Sequence, residues 1–420
     1  MTTYSAVVTT GIYCRPGCGA KPLAENVRTF ELAAAAEAAG FRACLRCRPY
    51  RVASPVDARA PEMVCRAVQL IIDGVLDDGT EVALGERLAV SPRHLRRMFR
   101  EHLGVTPDQL ARSRRAHFAR RLLDDSELSV ADVAFASGFG SLRQFNREIR
   151  QVFRAAPREL RERHRRADRL TADGGLVLRL PYQPPYDWDA MLAFFAARAI
   201  PGVESVADRT YRRTIAIDGG PGLLELSPGT GDHLILRAHL PYWEGLIHVV
   251  ERAARMVGVD SAPADDSDAV LGPLVRRRPG LRVPGAWGPL EAAVQSTLAQ
   301  GNTLTEARAL AGELVARFGH PVPGLPHGLT HLFPSAEALI PAPGLPGAIG
   351  QAHATHPTLL DPQPLAALIA NLVAIPGLTE DTAHEIALRL GHQDAFPPSL
   401  HADPARWRPH QALAATYLST

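Results

Sequence analysis

Four cysteines near the start of the chain are spaced for metal chemistry. Cys14 and Cys18 bracket Arg-Pro-Gly, Cys44 and Cys47 bracket Leu-Arg, and 25 residues separate the two pairs. Two close pairs of this kind can close a tetrahedral four-sulfur zinc site with Zn–S bonds of about 2.3 Å. Pro16 and Gly17 shape the first turn. Spacing alone leaves two chemistries open: a purely structural zinc ribbon, or a reactive thiolate, because zinc holds its sulfurs deprotonated and the thiolate is the nucleophilic form. The fifth cysteine, Cys65, lies on a helical apolar face and reads as a core residue. An odd count without a secretory signal argues against a disulfide framework.

The chain that must position these residues has 420 residues, enough for roughly three domains of about 150 each. Hydrophobic residues make up 46% and charged residues 21%, the balance of a globular protein rather than a disordered one. No apolar run reaches the ~18 residues needed to span a bilayer, and a cytoplasmic, bacterial-type protein is expected. Up to Leu170 there are 29 Lys+Arg against 20 Asp+Glu, a net +9; the remainder has 17 against 24, a net −7. A basic front half suggests a polyanionic partner.

Periodicity and punctuation divide the chain into residues 1–55, loop-rich with one helix over Thr29 to Ala39; 61–170, all helical; 176–243, a small α+β unit; and 244–420, helices joined by Pro- and Gly-rich turns. Linkers are expected at Ala53 to Pro61 and Arg161 to Gly175. The fold class is therefore multidomain and mainly α.

Thr10-Gly-Ile-Tyr-Cys-Arg-Pro-Gly-Cys18, Glu25-Asn26-Val27 and Ala39-Gly-Phe-Arg-Ala-Cys-Leu-Arg-Cys-Arg-Pro49 closely resemble the N-terminal domain of the Ada-type alkylation-response proteins. Only Met1 to Thr9 precede the motif, fewer residues than is usual in that family. The resemblance implies that Cys14, Cys18, Cys44 and Cys47 bind Zn²⁺ and that Cys14 accepts a methyl group from a methylphosphotriester in double-stranded DNA. Four thiolates on Zn²⁺ would carry a net charge of −2, so methylation should ease the approach of DNA phosphates. Arg15, Arg42, Arg46 and Arg48 are candidate phosphate contacts, or else ordinary surface arginines.

Glu86 to Phe99 reads as helix, turn, helix, with Ser91 as N-cap and Pro92 in the first helical position. Ser129 to Phe153 repeats the plan with Gly138 in the turn. A plain helical bundle fits the same pattern. Ala131-Asp-Val-Ala-Phe-Ala-Ser-Gly-Phe139, followed by Phe145, Phe153 and Pro157, resembles the AraC-type DNA-binding domain. That resemblance implies that both second helices enter major grooves, presenting Arg93, His94, Arg96 and Arg97, then Arg143, Gln144, Asn146 and Arg147. Phe99, Phe145 and Phe153 are expected in the core. RNA polymerase is a further candidate partner.

Leu178 to Trp188 and Arg198 to Val203 resemble the N-terminal domain of AlkA-type 3-methyladenine DNA glycosylases, and Arg282 to Trp287 and Ile375 to Arg389 their helix-hairpin-helix domain. The resemblance implies that the hairpin at Gly377 and Thr379 offers backbone N–H groups to a DNA phosphate. The sequence departs where the family does its chemistry. Pro398-Ser-Leu-His401 stands where a catalytic Asp is expected, Thr379 replaces the hairpin's last Gly, and Asp381 and Glu385 occupy positions that are often aromatic. Asp403 is a candidate displaced acid, and Trp287 and Trp407 are either core residues or remnants of a base pocket. No Pro-Cys-His-Arg run of a second methyl acceptor occurs. Three readings follow: a single-turnover methyl acceptor that activates transcription with a degenerate glycosylase half, a regulator fused to a working glycosylase, or a regulator without repair chemistry.

Overall fold

The computed structural model describes residues 3–20, 22–51, 60–77, 79–162, 175–217, 220–264, 266–267, 269, 271–408 and 410–419. Both expected linkers lie largely outside these residues. The chain forms two compact units, Met1–Tyr182 with Tyr242–Glu251, and Gln183–Pro241 with Arg252–Thr420.

The first unit begins with a four-stranded sheet. Strand β1 (Tyr4–Val7) buries Tyr4 and Ala6 on one face and pairs antiparallel with β2 (Ile12–Cys14) and β3 (Val27–Phe30). Helix α1 (Ala33–Ala38) follows, and β4 (Arg42–Ala43) adds to β2 in parallel, giving the order β3-β1-β2-β4. The helix expected from Thr29 starts only at Ala33. The backbone of Thr29 and Phe30 pairs with Ser5 and Tyr4, and that ladder overrides the local preference for helix.

Among the described residues helices follow: α2 (Glu62–Ile72), α3 (Glu81–Arg87), α4 (Pro92–Leu103), α5 (Pro107–Asp125), α6 (Val130–Ala136), α7 (Leu142–Phe153) and α8 (Pro157–Glu162). Their ends are written in side chains. Ser91 Oγ accepts from the His94 N–H with Pro92 opening α4, and Ser141 Oγ accepts from the Gln144 N–H at α7. Thr106 with Gln109, and Ser129 with Asp132, form reciprocal capping boxes. Val64, Leu84, Leu95 and Phe99 pack one core, and Phe145 and Phe153 are buried as expected. Gly138, at φ 76°, turns α6 into α7 where a Cβ would stand 2.7 Å from Asp77 Oδ2, so only glycine fits. Strand β5 (Leu176–Pro181) closes this part of the chain.

In the second unit α9 (Trp188–Arg198) leads into an antiparallel meander of β6 (Glu204–Ala207), β7 (Thr210–Ile217), β8 (Gly220–Pro228) and β9 (His233–His239). Alternating apolar residues in Thr214 to Asp218, Gly222 to Leu226 and His233 to Ala238 mark β7 to β9 in the sequence, and no such alternation marks β6. Helix α10 (Leu246–Met256) has its first half in the first unit. The remainder is α11 (Gly272–Arg277), α12 (Pro289–Ala299), α13 (Leu304–Phe318), a short hairpin of β10 (His320–Pro321) and β11 (His331–Leu332), then α14 (Ala336–Leu339), α15 (Gly344–Thr355), α16 (Leu365–Val373), α17 (Glu380–Arg389) and α18 (Gln411–Leu418). Val294, Leu314, Ile349, Leu368 and Ile386 form its core.

Arg213 on β7 is 1% exposed and makes a two-pronged ion pair with Glu291 on α12, at 2.9 and 2.7 Å. A second buried carboxylate, Glu204, accepts from Tyr211 and from the Ile200 N–H, and burial lifts its pKa above the ordinary carboxylate value. Removing one partner of a buried pair strands the other charge. Glu291→Ala should therefore cost about 3–5 kcal/mol. The check is a denaturant transition followed by tryptophan fluorescence, since Trp188, Trp287 and Trp407 all lie in this unit.

Within the first unit, His248 Nδ1 faces the Ile72 carbonyl at 3.0 Å and Nε2 faces Asp77 Oδ2 at 2.6 Å, two acceptors that only an imidazolium can satisfy together. Burial pulls its pKa down, but the Asp77 and Ile72 hydrogen bonds outweigh burial and hold it above 6.5. The bond's stability is thus fully present below pH 6.5 and is lost as pH rises through the folded value. His248→Gln should cost about 1.5–3 kcal/mol in mild acid. The gap in melting temperature between wild type and variant should narrow as pH is raised past neutrality.

Candidate metal centre and nucleic-acid interface

The parallel pairing of β2 with β4 sets Tyr13 opposite Ala43, and the Cys44 N–H donates to the Tyr13 carbonyl at 3.0 Å. Cys14 and Cys44 therefore leave two neighbouring strand ends together. After Cys14 the chain turns back, with the Cys18 N–H on the Arg15 carbonyl at 3.3 Å and Gly17 at φ 73°. After Cys44 the Arg48 N–H closes on the Cys44 carbonyl at 3.1 Å, with Arg48 itself left-handed at φ 51°. The two turns bring all four Sγ atoms within 4.8 Å of one another. Tetrahedral Zn–S bonding needs sulfur edges of about 3.8 Å, so this donor set fits zinc with little rearrangement. All five cysteines are free thiols, and Cys65 stands apart with its thiol toward the Ala60 carbonyl.

The sulfurs differ in surroundings. Burial, then the neighbouring Cys47 and Cys44, push the Cys14 thiol far up. Burial and the Cys44 charge push Cys47 up to about 12 against the opposing Arg15 N–H. Burial also acts to raise Cys44, but the Cys47 and Arg46 N–H groups outweigh it and leave that thiol below its ordinary value. Backbone donors thus reach Cys44 and Cys47. Cys14 is the most covered residue of the four, at 7% exposed. Around the nest Arg15 and Arg46 are exposed, while Arg42, turned toward the Ala43 carbonyl, and Arg48 are half-buried.

On α4, Arg93, Arg96 and Arg97 are exposed and His94 half-buried; together with Ser91 and Arg100 they line an open, basic depression. Arg96 is drawn into an ion pair with Glu81, and Arg97 Nη2 lies 3.1 Å from His94 Nδ1, so among the described residues Arg93 and Arg100 are the arginines of this set without such a tie. On α7, Arg143 is exposed; Arg147 is exposed but pairs with the buried Glu148, and Asn146 Nδ2 donates to the Leu142 carbonyl at 2.8 Å. Gln144 is half-buried.

The hairpin in the second unit differs from the sequence expectation. Gly377 takes φ 89°. The Thr379 N–H, expected to be free for a phosphate, donates to Gln300 Oε1 at 3.1 Å, and Gln300 Nε2 donates to the Gly377 carbonyl at 2.8 Å. The side chain of the residue that caps α12 thereby satisfies a donor at the hairpin tip. Asp381 Oδ1 accepts from the Ser399 N–H at 2.8 Å, and the exposed Asp403 caps its own turn by accepting from the Ala405 N–H at 3.0 Å. Trp287 is 9% exposed, between the guanidinium groups of Arg213 and Arg252, and Trp407 is 7% exposed and stacked on Phe396, so both are core residues. Sequence reasoning missed Gln300, and also Tyr13, Glu37, Tyr50 and His117, which meet beside the cysteine nest. No local pattern marks them, because their partners lie tens of residues away.

A four-sulfur zinc domain, a pair of helix-turn-helix motifs and a glycosylase-like half define a DNA-repair and transcription-regulator fusion, and the comparisons agree. Residues 2–50 match the metal binding domain of Ada, 84–163 a helix-turn-helix domain, and 177–288 the AlkA N-terminal domain. A protein of Mycobacterium tuberculosis named probable bifunctional transcriptional activator/DNA repair enzyme AlkA is 36% identical over 99% of this chain and 92% of its own length. DNA-3-methyladenine glycosylase 2 of Escherichia coli is 28% identical over 57% of this chain and 95% of its own length. The bifunctional transcriptional activator/DNA repair enzyme Ada of Escherichia coli is 34% identical over 37% of this chain and 43% of its own length. The chain belongs to the family of bifunctional transcriptional activator/DNA repair enzymes of the AlkA type.

Zinc measurement tests the centre directly. One zinc per chain is expected in wild type and in Cys65→Ser. Outer-shell changes alone cost up to about 100-fold in metal affinity, so Cys18→Ser and Cys47→Ser should lose at least that much in a chelator competition.

Proposed function

We propose that this protein senses DNA alkylation: Cys14 takes the methyl group of a methylphosphotriester in duplex DNA, and the modified protein activates transcription through its helix-turn-helix pair. The observation that carries the reading is the convergence of four cysteine sulfurs in an Ada-type domain, with backbone N–H groups directed at Cys44 and Cys47. A sulfur that accepts N–H bonds has its electron density drawn off, which leaves Cys14 and Cys18 as the more nucleophilic pair, and the Ada-type resemblance assigns the role to Cys14. Zinc, when bound, keeps the cysteines ionised at neutral pH. The Cys14 sulfur forms a bond to the methyl carbon as the carbon–oxygen bond breaks, and the electron pair stays on oxygen to regenerate the phosphodiester anion. The thioether does not revert, so each chain acts once.

Methylation removes one negative charge beside Arg15, Arg42, Arg46 and Arg48, the groups proposed to meet phosphates. DNA affinity should rise accordingly. Arg93 and Arg143 are the exposed candidates for base contacts, with Gln144 and Asn146 beside Arg143. Arg96, Arg97, His94 and Arg147 would serve phosphates or the helices' own geometry. Activation implies contact with RNA polymerase, and DNA as substrate and operator implies action in the bacterial cytoplasm, at the nucleoid.

For the second unit we propose a role in DNA binding or packing without base excision. Asp381 and Asp403 each serve a nearby backbone N–H, and the loop 398–401 offers no carboxylate. Glycosyl transfer lacking a carboxylate to stabilise an oxocarbenium-like sugar loses most of its rate.

Mass spectrometry of zinc-loaded protein after incubation with methylphosphotriester duplex should show a gain of one methylene unit on Cys14, absent in Cys14→Ala. Release of 3-methyladenine from alkylated duplex should stay at background in wild type and in Asp403→Asn. Base release abolished by Asp403→Asn would replace this account of the second unit with an active glycosylase.

A further inference from the structure

Tyr13, adjacent in sequence to Cys14, is fully buried, and its hydroxyl donates to Glu37 Oε1 at 2.6 Å. His117 Nε2, on α5, lies 2.6 Å from the same Glu37 oxygen and 3.1 Å from the Tyr13 hydroxyl. One turn along α5, Arg120 Nε donates to the Tyr50 hydroxyl at 3.0 Å, and that hydroxyl donates to Asp124 Oδ2 at 2.8 Å. Arg120 and Asp124 are buried and paired with each other at 2.8 Å. The rings of Tyr50, His117 and Phe153, the last residue of α7, cluster with centroids 5.9–6.3 Å apart. Buried polar groups tolerate little misplacement, because a slip of about 1 Å leaves a donor or charge without its partner. This interface therefore fixes one geometry, whereas an apolar seam could slide.

We propose that Tyr13 and His117 are positioning residues for methyl transfer: they lock the strand that ends in Cys14 onto the helix between the two reading helices, so that sulfur and helices address one stretch of DNA in a single register. The inference rests on the methyl-acceptor reading of Cys14. A flexible tether would only raise the local concentration of DNA at the sulfur, whereas a fixed body also sets its orientation.

The test compares full-length, zinc-loaded wild type, His117→Ala, His117→Gln, Tyr13→Phe and the Tyr13→Phe/His117→Ala double variant. Each meets the same methylphosphotriester in a duplex of under about 10 base pairs, shorter than one helical turn, and in one long enough for both helix-turn-helix motifs. Wild type should methylate faster on the long duplex. Tyr13→Phe and His117→Ala should keep the short-duplex rate and lose most of the long-duplex advantage, and the double variant should lose no more than either alone. His117→Gln, which keeps a donor for Glu37, should recover part of the advantage. A role in stability alone would slow both substrates equally. An unchanged long-to-short ratio in the variants overturns the proposal.

If wild type transfers no methyl group to either duplex, the methyl-acceptor reading fails and the interface still has its own readout. Amide exchange in residues 114–121 of α5 should slow when zinc is added to chelated wild type, and respond far less in His117→Ala. Equal response in both proteins means that the cysteine domain is not locked to α5 through this contact.

Discussion

The first unit depends on a short parallel ladder. Pairing of Tyr13 with Ala43 sends Cys14 and Cys44 out of adjacent strand ends, and each then needs only a tight turn to bring its companion to the same point. Four thiols held this close in a half-buried nest repel one another once ionised, and a divalent cation relieves that repulsion. Metal binding and folding of this sheet are accordingly coupled.

The same strand reaches outward. Tyr13 carries the ladder on one side and the Glu37–His117 contact on the other, so the geometry of the nest and its seating on α5 share a residue. Helix α5 is well suited to receive it. Its capping box and Pro107 define its start, and its buried face holds Arg115 against the Leu76 and Gly138 carbonyls and Asp77, tying the loop between α2 and α3 and the turn between α6 and α7 to one rod. Arg115 is 4% exposed, so this is an interior bond with its charge paired.

In the second unit the glycosylase-like fold and the proposed loss of base excision rest on different residues. Its architecture rests on interior features, the Arg213–Glu291 pair and a helical apolar core, and these are intact. The positions where base excision would occur hold Asp381 and Glu385, and the carboxylate of Asp381 is engaged with a backbone amide. Fold and catalysis draw on different residues, so an intact core does not by itself carry base excision.

Much was legible from sequence because it is local. Cysteine pairs with short spacers, Ser91-Pro92 opening a helix, Gly138 in a turn and the alternation of β7 to β9 each depend on residues within a few positions of one another. What could not be read is what depends on distant partners: the strand taken by Val27–Phe30, the occupation of the Thr379 amide by Gln300, and the meeting of Tyr13 with His117 across 104 positions. By itself the sequence determined the donor set, capped helix starts such as Ser91-Pro92, and the family. Tertiary structure alone decided which amides and arginines remain open to DNA, because a hydrogen-bonding group is available only after every competing partner has been placed.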